Sequence, residues 1–222
     1  MAGGRTGEGA GKVQNVPVQS IKTTGDTERT NGIDLSAAVN PVTVEVLNSR
    51  ITDFSRDGIT ADGLKLTANI HDNIITGPAG ATGPAQVPNG IVFRDKLSGS
   101  ISHNTIKSLH YNVASSWRST GIMGFANTVQ PGIVIENNDV SDVDDAINPS
   151  NDFILRTNIL HGNGSGVVLG MGAARNQITN NTITCNFLDG IKITGASNAT
   201  LDGRHHSSRG NYQSSNRTYD NY

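Results

Sequence analysis

A short pattern of aliphatic and polar residues returns six times along the chain and constrains the fold more than any other feature. An aliphatic residue is followed by two variable positions, Asn or a small polar residue, one further position and a second aliphatic residue, as in Ile70–Ile75 (IHDNII) and Ile101–Ile106 (ISHNTI). Each copy is followed by a small residue and another aliphatic one, as in Gly90-Ile91. The copies lie roughly 26 residues apart, a period typical of solenoids. The sequence therefore predicts a stack of similar coils.

The regular structure of these coils is predicted to be strand. No stretch carries apolar residues at helical spacing for three turns, and Gly, Asn, Thr and Pro interrupt the chain throughout. Short β-branched runs such as Ile133–Ile135 and Ile191–Ile193 are typical of strands. Strands without crossover helices bury their apolar faces by coiling, each turn about 4.8 Å from the next. We therefore expect an all-β chain that forms a single right-handed parallel β-helix of about six to eight coils.

Composition gives the expected boundaries of the solenoid. Residues 1–12 are rich in Gly and are predicted to be a flexible N-terminal segment. The β-helix is expected over residues 13–203. Residues 204–222 are polar, and because solenoid ends need a polar cover we predict a C-terminal cap or tail. The adjacent pair His205-His206 in that segment is a weak metal signal without further ligands, so no metal site is predicted.

Two aliphatic stacks and one polar ladder are predicted to run along the coils. The first stack contains Ile51, Ile75, Ile106, Val140, Ile159 and Ile183. The second contains Ile59, Ile91, Ile122, Ile147, Val167 and Ile191. The ladder contains Asn73, Asn104, Asn138 and Asn181, with Ser49 and Thr157 in place of Asn in two coils. Because Asn tolerates the left-handed backbone region and can bond to its own copy in the next coil, we interpret the ladder as structural.

Charge and composition limit the partners of such a solenoid. A net charge of −2 and a pI near 6.3 argue against nucleic acid as the main partner. One cysteine, Cys185, excludes an internal disulfide. No apolar run is long enough for a transmembrane helix, so membrane insertion is not expected, and the N-terminus shows no hydrophobic signal core. We expect an extracellular or cell-surface location.

Two consecutive coils carry longer connections at the same corner, which places a candidate binding site there. The first connection contains Gly77–Pro84, and the second contains His110, Tyr111, Trp117 and Arg118. Loops on a rigid scaffold are where binding concentrates, and flat aromatic rings suit the faces of sugar rings. The alternative is that these aromatic side chains fold down over apolar residues of the neighbouring strand.

The coil repeats resemble those of the pectin-lyase-like superfamily, including the carbohydrate-binding and sugar-hydrolase repeats of secreted bacterial proteins, over about residues 31–203. This resemblance implies the β-helix fold and a polysaccharide or other glycan as partner. The acidic corner Asp142–Asp145 is similar to the paired catalytic aspartates of the polygalacturonase family of glycoside hydrolases. That likeness continues into residues 161–170, where His161 joins the candidate binding residues, and into residues 189–194.

Three motifs of that family are altered here. In place of Asn-Thr-Asp, Gly-His-Gly and Arg-Ile-Lys, this chain has Ser119-Thr120-Gly121, Gly164-Ser165-Gly166 and Lys192-Ile193-Thr194. Only the paired aspartates and one basic residue remain, so the hydrolase machinery is incomplete or absent.

The candidate catalytic residues are Asp144, Asp145, Asp189 and Lys192. Asp145 and Asp189 are expected at equivalent corners two coils apart, roughly 10 Å at 4.8 Å per coil. Inverting glycosidases separate their carboxyl groups by about 6.5–9.5 Å. A lyase or epimerase would instead need carboxylates around Ca²⁺ and a basic residue, and no cofactor is otherwise expected. The alternative is that these aspartates only accept hydrogen bonds within turns.

Three functions follow, in order of preference. The first is a secreted or surface β-helix domain that engages polysaccharide. The second is a polysaccharide-degrading hydrolase, lyase or epimerase that uses the four candidates above. The third is a structural solenoid of a filament or phage-type appendage, in which copies of the chain stack through their coil ends or form a homo-oligomer.

Overall fold

The computed structural model describes residues 9–19, 31–78, 87–95, 97–111, 117–125, 132–170, 172–195, 198–202 and 213–214. The regular elements within these residues are all strands. They are β1 (Gly9–Gln14), β2 (Pro17–Gln19), β3 (Ile33–Ser36), β4 (Val42–Leu47), β5 (Arg50–Thr52), β6 (Asp57–Asp62), β7 (Leu66–His71), β8 (Ile74–Thr76), β9 (Asn89–Arg94), β10 (Ser98–Ser102), β11 (Thr105–Leu109), β12 (Thr120–Gly124), β13 (Ile133–Glu136), β14 (Asp139–Val143), β15 (Asp145–Asn148), β16 (Phe153–Arg156), β17 (Ile159–His161), β18 (Ser165–Leu169), β19 (Gln177–Thr179), β20 (Thr182–Thr184), β21 (Asp189–Ile193), β22 (Thr200–Asp202) and β23 (Gln213–Ser214). No helix in the described part of the chain is long and apolar enough to cross a membrane.

The strands form three parallel sheets, which we name A, B and C. Sheet A has the order β1-β4-β7-β10-β13-β16-β19-β22, sheet B β2-β5-β8-β11-β14-β17-β20, and sheet C β3-β6-β9-β12-β15-β18-β21-β23. The chain passes from A to B to C and then returns to A one rung further on, so strands β1 to β19 each pair with the strand three places later in sequence. At the C-terminal end β21 pairs with β23. The predicted solenoid of six to eight coils is confirmed: the described residues form seven complete coils and the sheet A and sheet C strands of an eighth.

The ends of the solenoid differ in detail from the predicted boundaries. β1 begins at Gly9, inside the segment 1–12 that the sequence assigns to a flexible terminus, and it pairs with β4 along its whole length. Residues 1–8 lie outside the described part. Of the predicted cap 204–222, only Gln213–Ser214 is described, and it pairs with Lys192–Ile193 of β21.

The predicted aliphatic stacks are confirmed except in one coil. The second stack lies in sheet C with every member in register, beginning from Ile33. In the first stack, in sheet B, the prediction of Ile159 is wrong: Ile159 is 47 % exposed. Leu160 takes the inward place instead and pairs with Val140 and Ile183.

The same one-residue shift corrects the polar ladder. Thr157 was predicted as the ladder residue of its coil, but Asn158 occupies that place and Thr157 precedes it with a φ of 54°. In the other coils the residue before the ladder position also has a left-handed backbone, as at Asp72 and Asn137. The prediction failed because Ile154-Leu155 and Ile159-Leu160 both offer two adjacent aliphatic residues, so the aliphatic pattern alone fits either register.

The corrected ladder is a continuous chain of buried amides between sheets A and B. The Oδ1 of each ladder Asn accepts the backbone N–H of the ladder residue in the preceding coil. Where that preceding residue is also Asn, the same Oδ1 accepts its side-chain N–H as well. All these distances are 2.9–3.1 Å from Asn73 to Asn181. Ser49 joins at the N-terminal side by donating its N–H to Asn73 at 3.0 Å. The ladder therefore satisfies the backbone where the chain bends, as buried polar groups require.

The small residue before each aliphatic residue of sheet C is explained by the close approach of the rungs. A Cβ on Gly58 would lie 2.7 Å from the carbonyl oxygen of Gly90 in the next coil and 2.9 Å from Cγ2 of Ile75. A Cβ on Gly121 would meet Ala146 O at 2.7 Å. The Gly-aliphatic pair is thus a packing requirement of the corner that leads into sheet C.

Candidate functional site

A groove on the outer side of sheet C is the candidate site. Its volume is about 330 Å³. The lining residues are Trp117, Arg118, Thr120, Met123, Gly124, Phe125, Asp145, Asn148, Pro149, Ser150, Gly170, Gly172 and Ala173. They come from β12, β15 and the segment after β18, together with the connection that precedes β12. The groove therefore crosses several coils of sheet C, and of the predicted binding residues it includes Trp117 and Arg118.

The two aromatic residues of the long connection have opposite environments. Trp117, the only tryptophan of the chain, is 68 % exposed and lines the groove, whereas Tyr111 is 8 % exposed. The structure thus divides the alternatives that the sequence left open: Tyr111 packs inward, and Trp117 presents its ring to solvent. The other long connection, 77–84, lies mostly outside the described residues.

Arg118 and Asp145 form an ion pair in the floor of the groove. The Nε of Arg118 donates to Asp145 Oδ1 at 2.8 Å, and its Nη2 donates to the backbone oxygen of Asp144 at 2.8 Å. The guanidinium passes over Gly164, where a Cβ would overlap it. A Cβ there would also overlap the backbone oxygen of Asp144 in the preceding rung, so both the rung contact and Arg118 require a small residue at Gly164.

Asp144 ties down the ends of the connection that carries Trp117 and Arg118. Its Oδ2 accepts the backbone N–H of Tyr111 at 3.1 Å and that of Ser119 at 2.9 Å. Its Oδ1 lies 3.4 Å from Nδ1 of His110. A carboxylate that accepts two backbone N–H groups is occupied by the scaffold, so this geometry favours a positioning role for Asp144.

Asp145 and Asp189 belong to a buried polar column formed by the first residues of successive sheet C strands. The column contains Asp57, Asn89, Thr120, Asp145, Ser165 and Asp189, none more than 8 % exposed. Neighbours are in register or hydrogen-bonded, and Thr120 N–H donates to Asn89 Oδ1 at 3.0 Å. Because Asn, Thr and Ser fill the same place in other coils, the position itself has a structural use. Ser165 separates Asp145 from Asp189, so the two carboxyls lie two rungs apart, roughly 10 Å.

Burial raises the pKa of two aspartates in this column, Asp145 and Asp57. It raises the pKa of Asp145 above the ordinary 3.8, against the charge and hydrogen bond of Arg118 and a hydrogen bond from Ser165. Burial likewise raises the pKa of Asp57, although a hydrogen bond from Asn89 and the charges of Arg56 and Arg94 oppose it. Because Asp57 lies outside the groove, a raised pKa is not specific to the groove.

The remaining predicted site residues lie outside the groove. His110 bridges Asp142 and Asp144 at the corner between sheets B and C. His161 lies on β17 in sheet B, with Nε2 3.1 Å from Asp139. Lys192 projects from β21 beside Val168 and does not line the groove. The structure thus brings Trp117, Arg118 and Asp145 together in the groove. Asp144 adjoins them through its backbone oxygen and links them to His110 and Tyr111, whereas His161 and Lys192 lie outside the groove. Their predicted roles stay predictions.

Phe125 and Asn148 line the groove but were not predicted as site residues. Phe125 is 61 % exposed and stacks on the Arg94 guanidinium, whose carbon lies 5.1 Å from the ring centre. Asn148 is in register with Met123 on the outer face of sheet C. Asn148 could have been identified from the sequence, because it is a polar residue in the outward row of sheet C. Phe125 could not, because its environment includes Arg94 from the preceding coil.

The pair of His110 and Asp142 predicts a small pH dependence of stability. Burial disfavours the imidazolium, but hydrogen bonds and charge from Asp142 and Asp144 outweigh it and raise the pKa of His110 above 6.5. Burial also opposes ionisation of Asp142, yet hydrogen bonds from His110 and Ser108 lower the pKa of that carboxyl below 3.8. A raised His pKa gives stability that is present below the unfolded-state value and lost as pH rises through the folded-state value.

We therefore expect the melting temperature to fall slightly as pH rises through the range above about 6.5. The effect corresponds to less than about 1 kcal/mol because the His110 side chain is 42 % exposed. His110→Gln should remove this slope, which thermal melts at a series of pH values measure. An unchanged slope in His110→Gln would show that another group is responsible.

The fold and the comparison with protein families agree on the class of this protein. Three parallel sheets wound into one solenoid define a parallel β-helix. The family described as right-handed beta helix region matches residues 31–205, and the chain belongs to this family. No curated protein and no solved structure shows a significant match. The resemblance to the pectin-lyase-like superfamily is compatible with this membership, and the likeness to polygalacturonases stays a resemblance.

Proposed function

We propose that this domain binds polysaccharide at the cell surface or after secretion, in the groove of sheet C and with Trp117 as the stacking platform. The observation that carries the proposal is the exposed indole of Trp117 on the wall of a groove that is also lined by the amide side chain of Asn148. Sugar rings present flat C–H faces to aromatic rings and hydroxyls to polar groups. Asn148, half-buried on the outer face of sheet C in register with Met123, is the uncharged polar side chain that we expect to bond to a sugar hydroxyl.

The scaffold supports binding because the groove is built on rigid elements. Asp144 fixes both ends of the connection that carries Trp117. The ion pair with Asp145 holds Arg118 to the floor. A preformed site loses little conformational entropy on binding.

Trp117→Ala is the test of this proposal. We expect oligosaccharide affinity to fall about tenfold or more, because the stacking surface is lost. The melting temperature should stay within a few degrees, as is usual for an exposed side chain. Calorimetric titration with a panel of oligosaccharides measures the affinity. The matched control is Phe187→Ala, which removes an aromatic ring that is 82 % exposed and outside the groove. Equal affinities of Trp117→Ala and the wild type, for a glycan that binds, would place binding elsewhere.

Catalysis is the second candidate, and the in-register column position of Asp145 and Asp189 is the observation in its favour. Their separation of roughly 10 Å is near the range of inverting glycosidases. Against it, Arg118 occupies one oxygen of Asp145, and the buried Ser165 fills the rung between the two aspartates, where an inverting enzyme needs room for substrate and water. Assays for reducing ends and for unsaturated products decide it: turnover by the wild type that is lost in Asp145→Asn would establish an enzyme.

The structural solenoid stays as a third candidate and makes a different prediction. It expects neither binding nor turnover with any glycan. Self-association through coil ends would then appear as concentration-dependent mass in sedimentation.

A further inference from the structure

The charges of the groove are already balanced within the protein. Among its lining residues, which are all in the described part of the chain, Arg118 and Asp145 are the charged ones, and they are bonded to each other at 2.8 Å. The Nη2 of Arg118 donates a second hydrogen bond, to the backbone oxygen of Asp144. Arg94 does not line the groove; its guanidinium lies over the ring of Phe125, and its Nη2 is 3.4 Å from Asp57 Oδ2, while its Nε is buried without a hydrogen-bond partner among the described residues.

An acidic sugar would have to compete with Asp145 for Arg118. Asp145 is 5 % exposed, so a displaced Asp145 carboxylate would stay buried without its partner. Removing one partner of a buried charge pair is strongly unfavourable because the other charge remains uncompensated. A neutral sugar needs no such exchange, since its hydroxyls bond to uncharged groups and its ring stacks on Trp117.

We infer that the groove is selective for neutral oligosaccharides over polyuronates and sulfated glycans. The inference rests on the proposed function, and it adds the chemical class of the ligand. The ion pair acts as the selective element: Arg118 is held as a neutralised donor, so the site offers hydrogen bonds but no net positive charge. Specificity of this kind arises because binding of the wrong ligand carries an unfavourable contribution to the binding free energy.

The first test compares glycans of equal length on the wild type. The probes are neutral pentasaccharides of glucose, mannose, galactose and xylose, against pentasaccharides of galacturonate. Trp117 is the only tryptophan, so its fluorescence reports binding at this groove alone. We expect at least one neutral probe to bind about tenfold or more tightly than the acidic probe. The affinity of that neutral probe should change less than about twofold between 0.05 and 0.5 M salt, because binding pairs no net charge.

The second test changes the charge of the groove. Asp145→Asn leaves Arg118 without its carboxylate, so the galacturonate probe should gain about tenfold in affinity and become sensitive to salt. Asp202→Asn is the control, because it removes the same charge from an exposed position on sheet A. It should leave the preference of the wild type unchanged.

The outcomes separate this inference from the function on which it rests. Galacturonate that binds the wild type more tightly than every neutral probe would overturn the inference and leave polysaccharide binding intact. A folded Asp145→Asn without any gain for galacturonate would overturn the role of the ion pair. If no glycan of either class changes Trp117 fluorescence or binds in calorimetry, the proposed function fails as well. Should Asp145→Asn not fold, the salt dependence of the wild type still decides between neutral and charged ligands.

Discussion

Asn138→Ala is expected to lower the free energy of unfolding by about 3–5 kcal/mol, since it breaks the buried ladder at its centre. Asn138 is 1 % exposed, and its side chain donates to the carbonyl oxygens of Ile101 and Glu136 and to the side chain of Asn158. Its Oδ1 accepts both the backbone and the side-chain N–H of Asn104. Truncation leaves these buried groups unpaired, at about 1–3 kcal/mol each before relaxation.

Chemical denaturation monitored by circular dichroism measures this loss. Asn137→Gly is the control, because Asn137 is exposed next to the ladder and its φ of 55° suits Gly. It should change stability by less than about 0.5 kcal/mol. A loss in Asn138→Ala no larger than that of Asn137→Gly would mean that water replaces the amide, and the ladder would then be dispensable.

The sequence was sufficient for the architecture because the repeat carries several independent signals. Aliphatic residues, ladder Asn and the small residue before sheet C recur together, and the Gly positions are required by rung-to-rung contact, as at Gly58. The error at Thr157 and Ile159 arose where only one of these signals was used. Giving Asn158 precedence over the aliphatic pattern would have fixed the register, because a buried ladder tolerates fewer residue types than an aliphatic position.

The candidate site was only partly predictable from sequence. Loop length drew attention to Trp117 and Arg118, which line the groove, because an insertion on a regular solenoid must project from it. The acidic corner suggested chemistry, but the structure shows that Asp144 serves the backbone N–H groups of Tyr111 and Ser119. Contacts between coils decide which aspartate is exposed to solvent and which one is bonded to a backbone N–H group or an arginine. Those contacts are not visible in a motif.

Gly99→Ala is the second change with a large expected effect, because it combines backbone strain with a clash between rungs. Gly99 has a φ of +136°, a conformation that side chains with a Cβ rarely adopt. An added Cβ would also overlap the carbonyl oxygen of Ala68, its register partner in β7. Strain of this kind costs about 1–3 kcal/mol, and a forced backbone shift in a packed region costs a similar amount. We therefore expect a loss of about 3–5 kcal/mol in the free energy of unfolding.

Gly132→Ala separates the two contributions to that loss. Gly132 also has a left-handed φ, +89°, but an added Cβ there would have nothing within 4 Å. It should show the strain alone, about 1–2 kcal/mol. Denaturant titration of both variants measures the difference, which is the cost of pushing one rung away from the next. If the two variants lose the same amount, the rungs of sheet A separate easily, and the rigid spacing that orders the groove-lining coils would not extend to this face of the solenoid.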